Sequence, residues 1–417
     1  MHWISITVYN FAISLYGLIA RVASLFSLKA RLWAVGRAKT EKRIRNFHVT
    51  ASKNRVWFHC SSLGEFEQAQ PLIEKVKNEL EDCVIYLSFF SPSGYEQVKK
   101  KEVADFIFYL PIDTQKNAAF LVEHLQPTLV FWTKYDFFYH HLNALKEQKT
   151  PLVLYSARFL SNQIFFKPWG YLHREMLQTF TRIFVQDENS KTLLNEIAIS
   201  SEIAADTRFD RVVKLANTEF KDEIVEQFIQ QEKYIWIAGS TWEKDEEILA
   251  EAFSTKESFK LIIAPHQIDK PHLDSIENHF KNHYLEVAFY TEFKAEDVSK
   301  KILVIDNIGM LSKLYRYAKI CYVGGGFGAG IHNVLEAVVY GKPVVFGTHY
   351  HKSLESVILL KNSIAFSISN SKELLQTESD LNNENKLQSI ENTALKYIKN
   401  NSGGTNKIFN YAKRFCK

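Results

Sequence analysis

The stretch "VGGGFGAGIHNVLEAVVYGKPVVFG", residues 323–347, reads as strand, glycine-rich turn, helix and strand. Gly324, Gly326 and Ala329 satisfy the spacing G-x-G-x-x-A, which in some α/β sheets cradles a dinucleotide. Such a site also needs an acid at the end of the next strand, about 20 residues on, to hold a ribose. The next strand here, "PVVFG", runs into Gly347, Thr348, His349 and Tyr350, with no acid. The dinucleotide reading therefore falls. The segment after the turn is more telling. A helix starting near His332 or Asn333 has free N–H groups at its first turn, and these bind a phosphate. Asn333 is a natural N-cap. The Glu336 carboxylate, one turn in, suits ribose hydroxyls. The layout predicts a nucleoside mono- or diphosphate site.

Outward from this stretch the chain alternates strands and helices. The first block holds apolar strands at 55–59, 83–90, 106–111, 127–132, 151–158 and 182–187, with helical patterns such as "GEFEQAQPLIEKVKNEL" (64–80) between them. After a more polar region around 200–232, a second block has strands at 234–240, 259–265, 285–291, 302–306, 320–325 and 343–347. This rhythm predicts parallel sheets covered by helices. The expected fold is α/β, with two Rossmann-like domains facing a central cleft and ligands at the carboxyl ends of the strands. The expected division is 1–45, a membrane anchor and basic flank; 46–205, an N-terminal domain; and 206–417, a C-terminal nucleotide-binding domain whose last helix crosses back.

The 417 residues exceed one ordinary core. A net charge of only +4 gives no reason to expect nucleic acid as a partner. The four cysteines (Cys60, Cys83, Cys321 and Cys416) form no C-x-x-C pair, which argues against a zinc site and for a reducing compartment. Residues 3–20, "WISITVYNFAISLYGLIA", carry no charge. That length just reaches across a bilayer core, but Ser5, Thr7, Asn10 and Ser14 make it polar for a span. A spanning anchor and an interfacial helix both remain open. Lys29, Arg31, Arg37, Lys39, Lys42, Arg43 and Arg45 come next, with Glu41 the lone acid. Such a flank keeps the rest of the chain in the cytoplasm and attracts anionic headgroups.

Four segments, "SSLGEFEQ" (61–68), "AGSTWEKDEE" (238–247), "DNIGMLSKLY" (306–315) and "VGGGFGAGIHNVLEA" (323–337), together resemble the 3-deoxy-D-manno-octulosonic acid (Kdo) transferases. These are GT-B glycosyltransferases of lipopolysaccharide biosynthesis. The resemblance rests on order and spacing across nearly the whole chain. It implies transfer of Kdo from CMP-Kdo to the lipid A precursor at the cytoplasmic face of the inner membrane of a Gram-negative cell. Transfer would invert the anomeric centre, with neither cofactor nor metal.

The resemblance also implies site residues. Glu65, in the family's S-x-G-E turn, corresponds to the general base. Its place at a helix start works against it, because the helix dipole lowers a carboxylate's pKa unless burial offsets it. Asp136 in "KYDFFYHHL" stands where the family has Glu, and Arg208 in "ADTRFD" where it has Lys; both are expected transition-state stabilisers, with a structural ion pair as the plain alternative. On the nucleotide side fall Ser240 and Thr241, His266 and Gln267 (for the family's P-R-H, without its arginine), and Ile308, Gly309 and Met310 (for M-G-E). Asn333, Val334, Leu335 and Glu336 complete the set (for N-P-L-E). Lys53, Arg158 and Lys167 are candidates for acceptor phosphates. Two other readings stay open: a GT-B transferase using a UDP-sugar and a lipid-linked acceptor, and a non-catalytic nucleotide-binding membrane protein.

Overall fold

The computed structural model describes residues 2–47, 52–134, 136–230, 232–328 and 330–416. Two compact units divide the chain: Met1–Arg211 with Asn401–Lys417, and Val212–Asn400.

The first unit is built on seven parallel strands: β1 (Asn54–Cys60), β2 (Cys83–Phe89), β3 (Phe106–Tyr109), β4 (Leu129–Thr133), β5 (Leu152–Ala157), β6 (Arg182–Val185) and β7 (Glu202–Ile203), in the order β3-β2-β1-β4-β5-β6-β7. Both faces of this sheet are covered, so its central strands are mostly apolar, without an alternating polar face. Trp57, Tyr86, Trp132 and Leu154 pack on one face. Phe58, Leu87, Phe131 and Tyr155 pack on the other, with Ile408 and Phe409 of the terminal helix Gly404–Ala412. The order reverses between β1 and β4, so the loops leaving these two strands diverge and open a crevice at their carboxyl ends.

The second unit repeats the plan with β8 (Ile235–Thr241), β9 (Lys260–Pro265), β10 (Val287–Phe289), β11 (Ile302–Val304), β12 (Ile320–Val323), β13 (Val344–Phe346) and β14 (Ala365–Ser367), ordered β10-β11-β9-β8-β12-β13-β14. Its reversal lies between β8 and β12.

Three expectations need correction. The stretch 285–291 is a strand only over Val287–Phe289, then a 3-10 turn. β7 and β14 were missed, being short edge strands whose polar neighbours hide any apolar run. The helix expected from His332 or Asn333 spans only Leu335–Val338.

The uncharged N-terminal stretch lies within the helix His2–Ala23, and the basic run forms the helices Leu28–Ala38 and Thr40–Arg45. By length and composition alone Trp3–Ala23 is long and apolar enough to cross a membrane. Its residues Ile4, Val8, Phe11, Leu15, Leu18, Ile19 and Val22, at helical spacing, are exposed. Not every cation of the basic run is free to meet headgroups. Arg37 is buried and donates to the carbonyls of Phe90 (2.6 Å) and Leu110 (3.0 Å), with its guanidinium 4.0 Å over Trp33. Burial pulls its pKa down to about 9.

Candidate active site

In the first unit, the turn after β1 and the turn after β4 meet at the switch point. Ser62 caps the helix Leu63–Glu79, its hydroxyl accepting from the Glu65 amide (3.4 Å), and this fixes Glu65 in the first turn. The Glu65 side chain folds back and accepts a hydrogen bond from the Ser61 amide. It is 5% exposed. Burial, then the negative charge of Asp136, push its carboxyl up to about 8, against the lowering pull of the Ser61 amide and Lys134. The conflict between helix start and basicity is thus decided by burial: the group is poised to gain and lose a proton near neutral pH.

Asp136 is exposed, and its carbonyl accepts from the Trp132 indole (2.9 Å). Arg208 is tied to Asp206 by three bonds, from its amide (2.8 Å), Nε (3.1 Å) and Nη2 (2.9 Å). Asp206 also accepts from Gln68 (2.6 Å) and Gln186 (2.8 Å). Arg208 is thus paired with Asp206. Of the other expected cations, Arg158 lies 3.5 Å from Asp187, and Lys167 donates to the Ser161 carbonyl (3.5 Å). Lys53 is exposed.

Sequence reasoning passed over Lys134. It comes directly after β4 with a left-handed backbone (φ 59°), its amide bonded to the Tyr155 carbonyl (3.0 Å). A non-glycine residue held there is strained, a common mark of functional turns. Its charge acts on both Glu65 and Asp206. The signal was its place two residues before Asp136.

In the second unit the switch point joins the end of β8 to the glycine turn after β12. Asp245, buried, organises it: its carboxylate accepts from the Gly325 amide (2.9 Å), the Trp242 amide (3.0 Å) and the Tyr322 hydroxyl (2.7 Å). It stands in the quoted segment "AGSTWEKDEE", but only the strand end there was singled out. Thr241 is buried against Glu246 (2.8 Å), and Ser240 has a left-handed backbone (φ 55°). The glycines serve close packing of backbone. A Cβ on Gly324 would lie 2.4 Å from the Ser240 carbonyl oxygen, and one on Gly326 would lie 2.6 Å from the Gly347 nitrogen. Ala329 falls outside the described residues. Gly326→Ala is expected to cost about 2 kcal/mol or more, since backbone must shift to admit the methyl. Thermal unfolding checks this, and an unchanged transition would refute it.

The nucleotide-side residues separate into three groups. Asn333 and Glu336 join through their side chains (3.3 Å), and Asn333 also accepts from the Leu335 amide (3.2 Å). Val334 and Leu335 are core side chains, leaving only their backbone to meet a ligand. A four-residue helix has little dipole, so the expected phosphate site at its N-terminus loses most of its basis. Gly309 is left-handed (φ 101°), Ile308 and Gln267 are exposed, and Met310 is half-buried.

His266 stacks on Trp242 (4.6 Å between ring centres) and on His332 (4.5 Å), and the Trp242 indole donates to His332 Nε2 (3.0 Å). Burial lowers the pKa of His266, and burial with His266 brings His332 to about 4. Both rings are neutral near pH 7. They offer stacking faces and hydrogen bonds, not the cation the missing arginine would supply. Among the described residues, one trio of metal-ligand atoms converges: Glu243, Glu247 and His279, within 4.8 Å. It is a solvated surface group whose Glu247 pairs with Lys244 (2.8 Å).

Comparison with known proteins finds the same similarity. The family profile 3-Deoxy-D-manno-octulosonic-acid transferase (kdotransferase) matches residues 34–211, the region holding Glu65, Asp136 and Arg208. The 3-deoxy-D-manno-octulosonic acid transferase of Rickettsia prowazekii is 26% identical over 360 residues, 83% of this chain and 76% of its own. The chain is similar to the Kdo transferases over most of its length. A bifunctional glycosyltransferase/methyltransferase of Fusobacterium nucleatum is 25% identical over 352 residues, 82% of this chain; the match spans about half (54%) of that longer protein. MurG from Acinetobacter baumannii superposes with a TM-score of 0.57 at 12% identity, over 87% of this chain and 99% of its own. The fold is α/β, of the GT-B type, with an apolar N-terminal helix.

Proposed function

We propose that this protein transfers Kdo from CMP-Kdo to the lipid A precursor, with inversion, without a resident metal or cofactor, and with Glu65 as general base. The observation that carries the reading is the buried Glu65 carboxyl at the switch point of the first sheet, pushed up to about 8 beside Asp136. The Glu65 carboxylate takes the proton of the acceptor hydroxyl while that oxygen bonds to the anomeric carbon. The bond from that carbon to the phosphate oxygen breaks on the opposite face, and CMP leaves with the electron pair. Lys134 supplies positive charge near the base, and Asp136 keeps the base weakly acidic. On the donor side, Asn333, Glu336 and the stack of Trp242, His266 and His332 offer hydrogen bonds and ring faces to a nucleotide.

In this reading the N-terminal helix holds the first unit at a membrane surface, on the inner membrane's cytoplasmic side. Its middle is tied to the folded unit: the Tyr9 hydroxyl donates to Asp113 (2.5 Å), and Asn10 meets His140 (2.6 Å). A helix held at its centre lies along the interface with its apolar outer face toward lipid. Tyr9→Phe removes a bond to a buried carboxylate and is expected to weaken docking by about 2 kcal/mol. Hydrogen exchange should then quicken across 2–23; unchanged exchange would count against a docked helix.

The test is a transfer assay with CMP-Kdo and a lipid A precursor, reading CMP release and the mass added to the lipid. Consumption of a UDP-sugar instead of CMP-Kdo would replace this donor. No turnover with either would favour a binding role.

A further inference from the structure

The first unit has a cavity of about 460 Å³ between the helix Leu28–Ala38 and the helix Pro92–Val98. Five cations line it, Arg31, Lys39, Arg43, Lys99 and Lys100, against one carboxylate, Glu96. That carboxylate is already engaged: Lys99 pairs with it and the Tyr109 hydroxyl donates to it (3.3 Å). Lys39 and Lys100 are exposed and hold no partner among the described residues.

The floor is firm. Tyr95 and Tyr109 are buried with ring centres 4.0 Å apart, and Arg43 bonds to the Tyr95 hydroxyl. Gly36 makes this possible, since a Cβ there would lie 2.2 Å from the Tyr109 ring. A compact, multiply charged anion satisfies such a set of donors; nothing neutral does. The surroundings say what that anion is attached to. Leu25, Phe26, Leu28 and Val35, beside the cavity in sequence, are exposed and apolar, as is the outer face of the helix His2–Ala23. Water alone leaves that surface uncovered, whereas acyl chains cover it.

We propose that this cavity binds the phosphate headgroup of an acylated molecule at the bilayer surface. The site is separate from Glu65 and stands whether or not the donor is CMP-Kdo.

The test is flotation of the full chain with phosphatidylcholine vesicles containing phosphatidic acid, a phosphomonoester, or phosphatidylglycerol, a phosphodiester, at matched surface charge. Preference for phosphatidic acid is expected. Lys39→Gln with Lys100→Gln should weaken that binding about fivefold per charge removed and erase the preference. Lys39→Arg with Lys100→Arg should keep it. Lys29→Gln with Lys42→Gln, exposed cations outside the cavity, should lower binding to both vesicles alike and leave the preference intact. Equal effects of the two glutamine pairs would overturn the proposal, reducing the cavity to diffuse surface charge. Binding of inorganic phosphate by the cavity, with no preference between the two vesicles, would overturn the lipid source and make this a free-phosphate site.

Discussion

Glu65→Gln is expected to lower the transfer rate by roughly 10²–10⁴-fold, the usual contribution of a positioned general base. The amide keeps the shape of the side chain but takes no proton. Wild-type activity should climb about tenfold per pH unit below pH 8 and level off above it, because only the ionised carboxylate acts and the group titrates near 8. The mutant's residual activity should lack that slope. Stability moves the opposite way. A carboxyl whose folded pKa is raised favours the fold below its ordinary 4.5, and this contribution is lost as pH rises through about 8. At pH 8 and above, Glu65→Gln should therefore be the more stable protein, by on the order of a few kcal/mol. Loss of activity with gain of stability separates a base from a plain first-turn glutamate, whose replacement would leave the pH profile of transfer unchanged. Steady-state rates from pH 6 to pH 9 and thermal unfolding over the same range decide the matter.

The fold was legible because parallel strands covered on both faces carry continuous apolar runs; β1, β4 and β8 stand out by "VWF", "LVFW" and "IWIAG". The helix from Leu63 was legible for another reason, its serine cap and amphipathic run. Glu65 was found from the turn at its start. What sequence did not reveal is pairing across distance. That Asp206 would hold Arg208 while also reaching Gln68 depends on the helix after β1 and the loop after β7 arriving at one place. That Asp245 would hold the glycine turn depends on β8 lying beside β12. The short helix after that turn was misjudged because "HNVLEAVV" has helical spacing. The His332 amide bonds back to the Gly324 carbonyl (3.2 Å), which keeps the chain in the turn until Val334.

Asp206→Ala is expected to destabilise the first unit by about 3–5 kcal/mol, the range for breaking a buried charge pair by removing one partner. Asp206 is 3% exposed and satisfies Arg208, Gln68 and Gln186 together. Its loss removes the buried acceptor shared by the Arg208 guanidinium and the Gln68 and Gln186 amides. Burial by itself would raise the Asp206 pKa, but the charge and hydrogen bonds of Arg208 outweigh it, leaving the group below its ordinary 3.8. A lowered carboxyl stabilises the fold above that ordinary value and loses its contribution as pH falls through the folded one. Wild type should thus lose stability on acidification below pH 4 more steeply than the mutant. In calorimetry the transition of the first unit should fall by roughly 10 °C at neutral pH. Replacing both partners, Asp206→Leu with Arg208→Met, should cost less than the two single changes summed, since neither charge is then left alone. A loss under about 1 kcal/mol for Asp206→Ala, or strict additivity of the pair, would show that Arg208 is not held in this ion pair. Arg208 would then be available to substrate, and the electrostatics of the transfer step would rest on it instead of on Lys134.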